Sequence, residues 1–191
     1  MVDTNAETSQ TNNLNLGEGG GILEIGTFIG FSAMAWSSAV GPDGHVTTLE
    51  YSPEYAKVAE EALARENIKN CDIMIGDASD SLEKLAAGSQ EAYDLIFIDA
   101  DKISYPKYLR FILENSKGEG RRILKKGGII VADNILRLGV IADSSDANPW
   151  SKKVGDLEAI DVFNKKLVEE KRLDTFLMPL FDGLGMARLL D

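Results

Sequence analysis

From residue 22 onward the chain alternates short apolar runs with amphipathic segments. The runs at 22–25, 45–49, 72–75, 95–98 and 129–132 are brief and rich in branched residues, as strands covered on both faces are. The segments between them predict helices over 31–40, 53–66, 79–87 and 105–124. Ser52 before Pro53 reads as an N-cap followed by proline at the first helical position. A further helix is predicted over 156–170, where Leu157, Ile160, Val162, Phe163 and Leu167 recur at near-helical spacing. Two extended apolar runs flank Asp182-Gly183, a signal for a terminal antiparallel hairpin. Repeated strand-helix units followed by a hairpin predict an α/β fold, an open and mostly parallel sheet of about seven strands with helices on both faces.

Composition narrows the setting. At 191 residues the chain has the size of one domain, enough to bury roughly 70% of its unfolded surface. Residues 1–20, rich in Thr, Asn, Ser and Gly and ending GEGGG, read as a flexible leader, and 21–191 as the folded domain. The polar, acidic start lacks a secretory pattern, and no apolar run approaches the roughly 20 residues of a membrane span. Cys71 is the only cysteine, so no internal disulfide can form, and its apolar-alternating context reads as core. A reducing, cytoplasmic location is expected. The net charge of -11 would repel a phosphate backbone, which removes nucleic acid as an expected partner.

In open parallel sheets ligands sit beyond the carboxyl ends of the strands, so the residues there are the candidates. After the first strand, Gly26 and Gly30 let the backbone turn tightly, and Ser32 at the next helix start can donate a hydrogen bond. The same glycines would also serve helix packing alone. Glu50, ending the second strand, suits the two hydroxyls of a ribose or is a solvated carboxylate. Tyr51 could lie on an adenine face or simply face water, and Asp77 with Ala78 suits an adenine edge or forms an ordinary loop. Asp99, Asp133 and Asn134 follow adjacent strands and offer only hard oxygen atoms, a set that favours Mg²⁺, with Mn²⁺ or Ca²⁺ as substitutes. Lys102, three residues past Asp99, either faces the same cleft or forms a local ion pair with it. His45, the only histidine, begins a strand and reads as structural.

Together ILEIGTFIGFSA, HVTTLE, GDA, FIDADK and IIVADNIL resemble the cation-dependent class I O-methyltransferases, the family of caffeoyl-coenzyme A and catechol O-methyltransferases. The resemblance runs from Ile22 to the C-terminal MPLFDGLGMARLL. It implies a seven-stranded Rossmann-like sheet whose last strand is antiparallel. It also implies that Glu24, Gly26, Thr27, Ser32, Glu50 and Ala78 hold S-adenosylmethionine, with Asp99 near its amino-acid portion. Asp99, Asp133 and Asn134 would bind the cation, Lys102 would be the general base and Asp101 would lie beside a phenolic, catechol-like acceptor.

Two departures qualify the match. Family members carry helices before the first strand that help close the site, whereas residues 1–20 show no such pattern, so cover is expected from a second copy in a homodimer or is lacking. Leu138 stands where plant coenzyme-A-ester members have a substrate-binding asparagine, which speaks against that substrate class. The insert 137–153, with Trp150, forms either the acceptor wall or a surface loop. Two other readings compete. A catalytically impaired cofactor-binding protein would follow from the missing cover. An NAD-dependent oxidoreductase would share Glu50, but the first loop lacks G-x-G-x-x-G spacing and the Asp133-Asn134 pair would have no role.

Overall fold

A computed structural model describes residues 20–152 and 154–191. The leader therefore lies outside the described residues except for Gly20, as does Lys153 of the insert. Seven strands form one sheet: β1 (Gly21–Ile25), β2 (His45–Glu50), β3 (Cys71–Ile75), β4 (Tyr93–Ile98), β5 (Leu124–Ala132), β6 (Leu173–Met178) and β7 (Leu184–Leu189). The helices are α1 (Phe31–Val40), α2 (Pro53–Arg65), α3 (Ala78–Ala87), α4 (Tyr105–Glu114) and α5 (Leu157–Glu169), with a 3-10 turn at Lys102–Ser104 leading into α4.

The strand order is β3-β2-β1-β4-β5-β7-β6. Strands β1 to β5 pair in parallel, while β7 runs antiparallel to both β5 and β6, as the hairpin signal implied. Alternate residues of β1 serve opposite faces. Ile22 joins Val40 of α1, Val46, Leu95 and Val131 in one cluster. Leu23 and Ile25 join the larger one, supplied by Leu82 of α3, Leu109 and Ile112 of α4, and Ile160 and Phe163 of α5. Each fully buried Ile or Leu of this kind stabilises the fold by roughly 1.5–3 kcal/mol.

The helix predicted over 105–124 is shorter than its sequence pattern suggested. It stops at Glu114 with Asn115 as C-cap, and Gly118, in the left-handed region at φ 69°, follows. Ile123 and Leu124, read as helix residues, are instead buried at the sheet, where Tyr93 N donates to Ile123 O at 2.8 Å. Strand β5 thus begins earlier than expected and carries a register irregularity against Tyr93 and Leu95. Two apolar residues at the end of an amphipathic stretch extend a helix stripe or open a strand equally well, and only the pairing partner decides. Ser52 caps α2 as read, its hydroxyl accepting from Tyr55 N. Cys71, expected in the core, is half-buried on edge strand β3, and burial pushes its thiol up to about 11.

The order reverses between β1 and β4, and at such a switch point the loops diverge and leave a crevice. No helix among the described residues is long and apolar enough to cross a membrane.

Candidate active site

The loop after β1 is folded against the end of β4. Gly26 N donates to Leu49 O at 3.0 Å and Asp99 N to Ile25 O at 2.9 Å, which brings the β1, β2 and β4 ends into one rim. Gly26 has φ 106°, and a Cβ there would stand 2.2 Å from the Asp99 carbonyl oxygen, so glycine is required for the approach. Gly30, the N-cap of α1 at φ 87°, sits against Ala59 of α2, so its role in the described structure is packing.

Behind this loop runs a buried polar chain. Thr48 Oγ1 donates to Glu24 Oε2 at 2.6 Å and lies 2.6 Å from Thr27 Oγ1. Glu24 Oε1 is buried with no hydrogen-bond partner among the described residues. Burial pushes the Glu24 carboxyl above its ordinary range, opposed by Ser32, Thr48 and Trp36. The folded state therefore holds this proton more tightly than the unfolded chain, and Glu24's contribution to stability falls as pH rises from about 4.5 through the raised value. Glu24→Gln is expected to flatten the dependence of melting temperature on pH across that window, and an unchanged slope would refute it.

Glu50 is 8% exposed and pinned from two sides. Phe28 N donates to Oε2 at 2.7 Å and Ser52 N to Oε1 at 2.8 Å, leaving each oxygen with a further lone pair. Holding Phe28 at φ 51° is part of that arrangement. Glu50, Tyr51, Asp77, Ala78, Asp99, Asp101 and Gly26 line one cleft of about 490 Å³. Tyr51 is 77% exposed at its edge. Asp77 caps α3 by accepting from Ser79 N at 2.7 Å, and these bonds hold its carboxyl below the ordinary range. Glu24, Thr27 and Ser32 are not among the residues lining this cleft.

Beyond the cleft, Lys102 Nζ lies 2.8 Å from Asp99 Oδ1, with its side chain only 9% exposed. The local ion pair expected as one alternative is therefore present. Asp133 follows β5, and its N donates to Ile98 O at 3.0 Å, which brings it beside the end of β4. Burial pushes the Asp133 carboxyl up, the N–H of Asn134 opposes this, and the nearby charge of Asp99 adds to it. Asn134 adopts φ 59° and donates its N–H to Asp133 Oδ1 at 2.7 Å. Among the described residues no group of three or more His, Cys, Asp or Glu converges as a metal site, and the expected set has two carboxylates and one amide.

Asp101 has a role its sequence context did not reveal. One oxygen caps the 3-10 turn by accepting from Ser104 N, and the other accepts from Tyr108 Oη at 2.9 Å. Tyr105 was also missed. Its hydroxyl lies 2.6 Å from Lys102 Nζ, 2.9 Å from Ile98 O and 3.1 Å from Asp133 O, and burial pushes its phenol far above the ordinary value. The spacing of Lys102, Tyr105 and Tyr108 along one helical face was the available signal. At the base of the insert, Arg137 grips Asp156 through two bonds of 2.7 and 2.8 Å, and Leu138 N donates to Asp182.

The O-methyltransferase family model matches residues 9–190. The chain is 34% identical to O-methyltransferase ankF of Aspergillus thermomutatus over 88% of its own length and 70% of that protein. It is 34% identical to a catechol O-methyltransferase of Mycobacterium tuberculosis over 83% of its length and 70% of the relative. The SAH-bound Podospora anserina methyltransferase PaMTH1 superposes with a TM-score of 0.73 at 31% identity, over 90% of this chain and 72% of that one.

Proposed function

This chain belongs to the O-methyltransferase family, and from that premise we propose that it moves the methyl group of S-adenosylmethionine to a catechol-like hydroxyl of a small molecule with a divalent cation. The observation that carries the reading is the crevice between β1 and β4, where a pinned Glu50 and Asp99, the ion-pair partner of Lys102, line one cleft.

The residues fit both groups. A cleft of about 490 Å³ is the size of a small-ligand site. Glu50, its carboxylate fixed by two N–H groups, suits vicinal ribose hydroxyls. Tyr51, Asp77 and Ala78 line the same cleft, which supports an adenine lying against them. Gly26, Thr27 and Ser32 shape the loop that backs it. Asp99 and Asp133 repel each other, and a cation shared with the Asn134 amide oxygen would remove that cost. The relative named a catechol O-methyltransferase supports the acceptor class, and the SAH-bound neighbour supports the donor.

When bound, the donor supplies an electrophilic sulfonium methyl and the cation supplies charge that favours ionisation of the acceptor hydroxyl. Lys102 Nζ would hold the proton released by the acceptor hydroxyl, leaving that oxygen free to receive the methyl group. Holding both reactants in one cleft gives effective molarities of roughly 10⁵ M or more. Asp101, committed to Ser104 and Tyr108, keeps the Lys102 turn in shape beside the acceptor. The insert, anchored by Arg137, supplies the acceptor wall, and the protein works as a homodimer in a reducing cytoplasmic setting.

Calorimetry should detect S-adenosylmethionine and not NAD, and catechol should gain one methyl group by mass. Excess EDTA should abolish turnover and Mg²⁺ or Mn²⁺ restore it. Full activity in chelator would remove the cation from the reading, and donor binding without turnover on any phenol would make this a cofactor-binding protein only.

A further inference from the structure

The hydroxyl of Tyr105 sits among three groups whose chemistry fixes where its proton goes. The carbonyl oxygens of Ile98 and Asp133, at 2.9 and 3.1 Å, can only accept. The phenol proton is therefore shared between them, and toward Lys102 Nζ at 2.6 Å the phenol oxygen is an acceptor. Asp99 Oδ1, at 2.8 Å from the same nitrogen, is an acceptor as well. Two of the three non-carbon positions on Nζ are thus N–H bonds with assigned directions, whether the amine is neutral or charged. One acceptor alone would leave Nζ free to rotate about the line joining them. A second at a different angle removes that freedom.

We infer that Tyr105 is a positioning residue: with Asp99 it claims two positions of Lys102 Nζ and so aims the third at the acceptor hydroxyl. The inference rests on the reading of Lys102 as proton acceptor. The ring is held rigidly for the purpose. It is fully buried, packs edge-on to Phe163 with centroids 5.3 Å apart, and lies 4.8 Å beneath Nζ. Because the hydroxyl also ties the ends of β4 and β5, Lys102 is referenced to the same two strand ends that carry Asp99 and Asp133.

Tyr105→Phe keeps the ring and removes the oxygen, and Ile98 O still accepts from Asp133 N. With S-adenosylmethionine, catechol and Mg²⁺, kcat should fall about 10- to 100-fold, the cost of a misaimed group. The KM for catechol and the calorimetric Kd for the donor should stay near wild type. In a Lys102→Ala background the same change should cost no further activity, because Tyr105 acts only through that lysine. Acetic anhydride labelling of the protein alone, mapped by mass spectrometry, should accelerate severalfold at Lys102 relative to the exposed lysines, since Nζ loses a holding contact. Wild-type kcat in Tyr105→Phe, unchanged labelling, an additive loss in the Lys102→Ala background, or a collapse of melting temperature and donor binding would each overturn the inference. If Lys102→Ala itself keeps full turnover, the base reading fails first, which separates the two failures.

Discussion

Lys102→Ala is expected to lower kcat for catechol methylation by about 10²-fold or more, the usual contribution of a positioned general base, while the donor Kd stays within about twofold. The nitrogen is nearly enclosed and held at 2.8 Å from Asp99 and 2.6 Å from the Tyr105 hydroxyl. Donor affinity is spared because Lys102 does not line the cleft that contains Glu50, Tyr51 and Asp77. Asp99, whose side chain is 41% exposed, stays hydrated when the ammonium is removed, which limits the damage to stability. Parallel stopped-flow and calorimetric measurements decide the matter: unchanged kcat removes the base role, and a joint loss of kcat and donor binding would make Lys102 a structural residue.

The second large effect belongs to Gly26→Ala. An added Cβ would meet the Asp99 carbonyl oxygen at 2.2 Å, its carbon at 2.7 Å and Ala100 N at 3.1 Å, all of them backbone, at a φ of 106° that L residues rarely adopt. The ends of β1 and β4 would have to separate, and the Asp99 N–Ile25 O and Gly26 N–Leu49 O bonds would stretch. A loss of about 3 kcal/mol or more is expected, a fall of roughly 10 °C for a chain of this size, together with loss of donor binding. Gly76→Ala is the control. Its φ of 133° is also unfavourable, but nothing lies within 4 Å of the added carbon, so only backbone strain of roughly 1–3 kcal/mol applies. Equal melting temperatures for the two variants would show that the loops are not in the contact described.

The strands could be read from the chain because their runs are apolar enough to be unambiguous. Residues 22–25 and 95–98 alternate between two covered faces, and no helix stripe fits so short a run. Ser52-Pro53 marked the start of α2 for a local reason, a side-chain cap and a pre-set φ, that needs no partner. Placement of the candidate residues at strand ends followed from the same reading, since every parallel strand delivers its carboxyl end to one rim.

What local pattern could not supply is anything that depends on a distant partner. The end of α4 was misread because the burial of Ile123 and Leu124 is decided by Tyr93 in a neighbouring strand. Local sequence does not give Tyr105 a role, and only the meeting of β4 with β5 puts its phenol between two carbonyls and an amine. Asp101 is a substrate-side carboxylate by resemblance, and only the fold shows that it lines the cleft while accepting from Ser104 N and Tyr108 Oη. The sequence by itself determined the α/β alternation and the chemical types delivered to one edge of the sheet, because propensity and hydrophobic period act between near neighbours. The tertiary structure alone decided which of those groups touch and in what direction their protons lie, because hydrogen-bond geometry across strands is set by sheet order and register, which neighbouring residues do not encode.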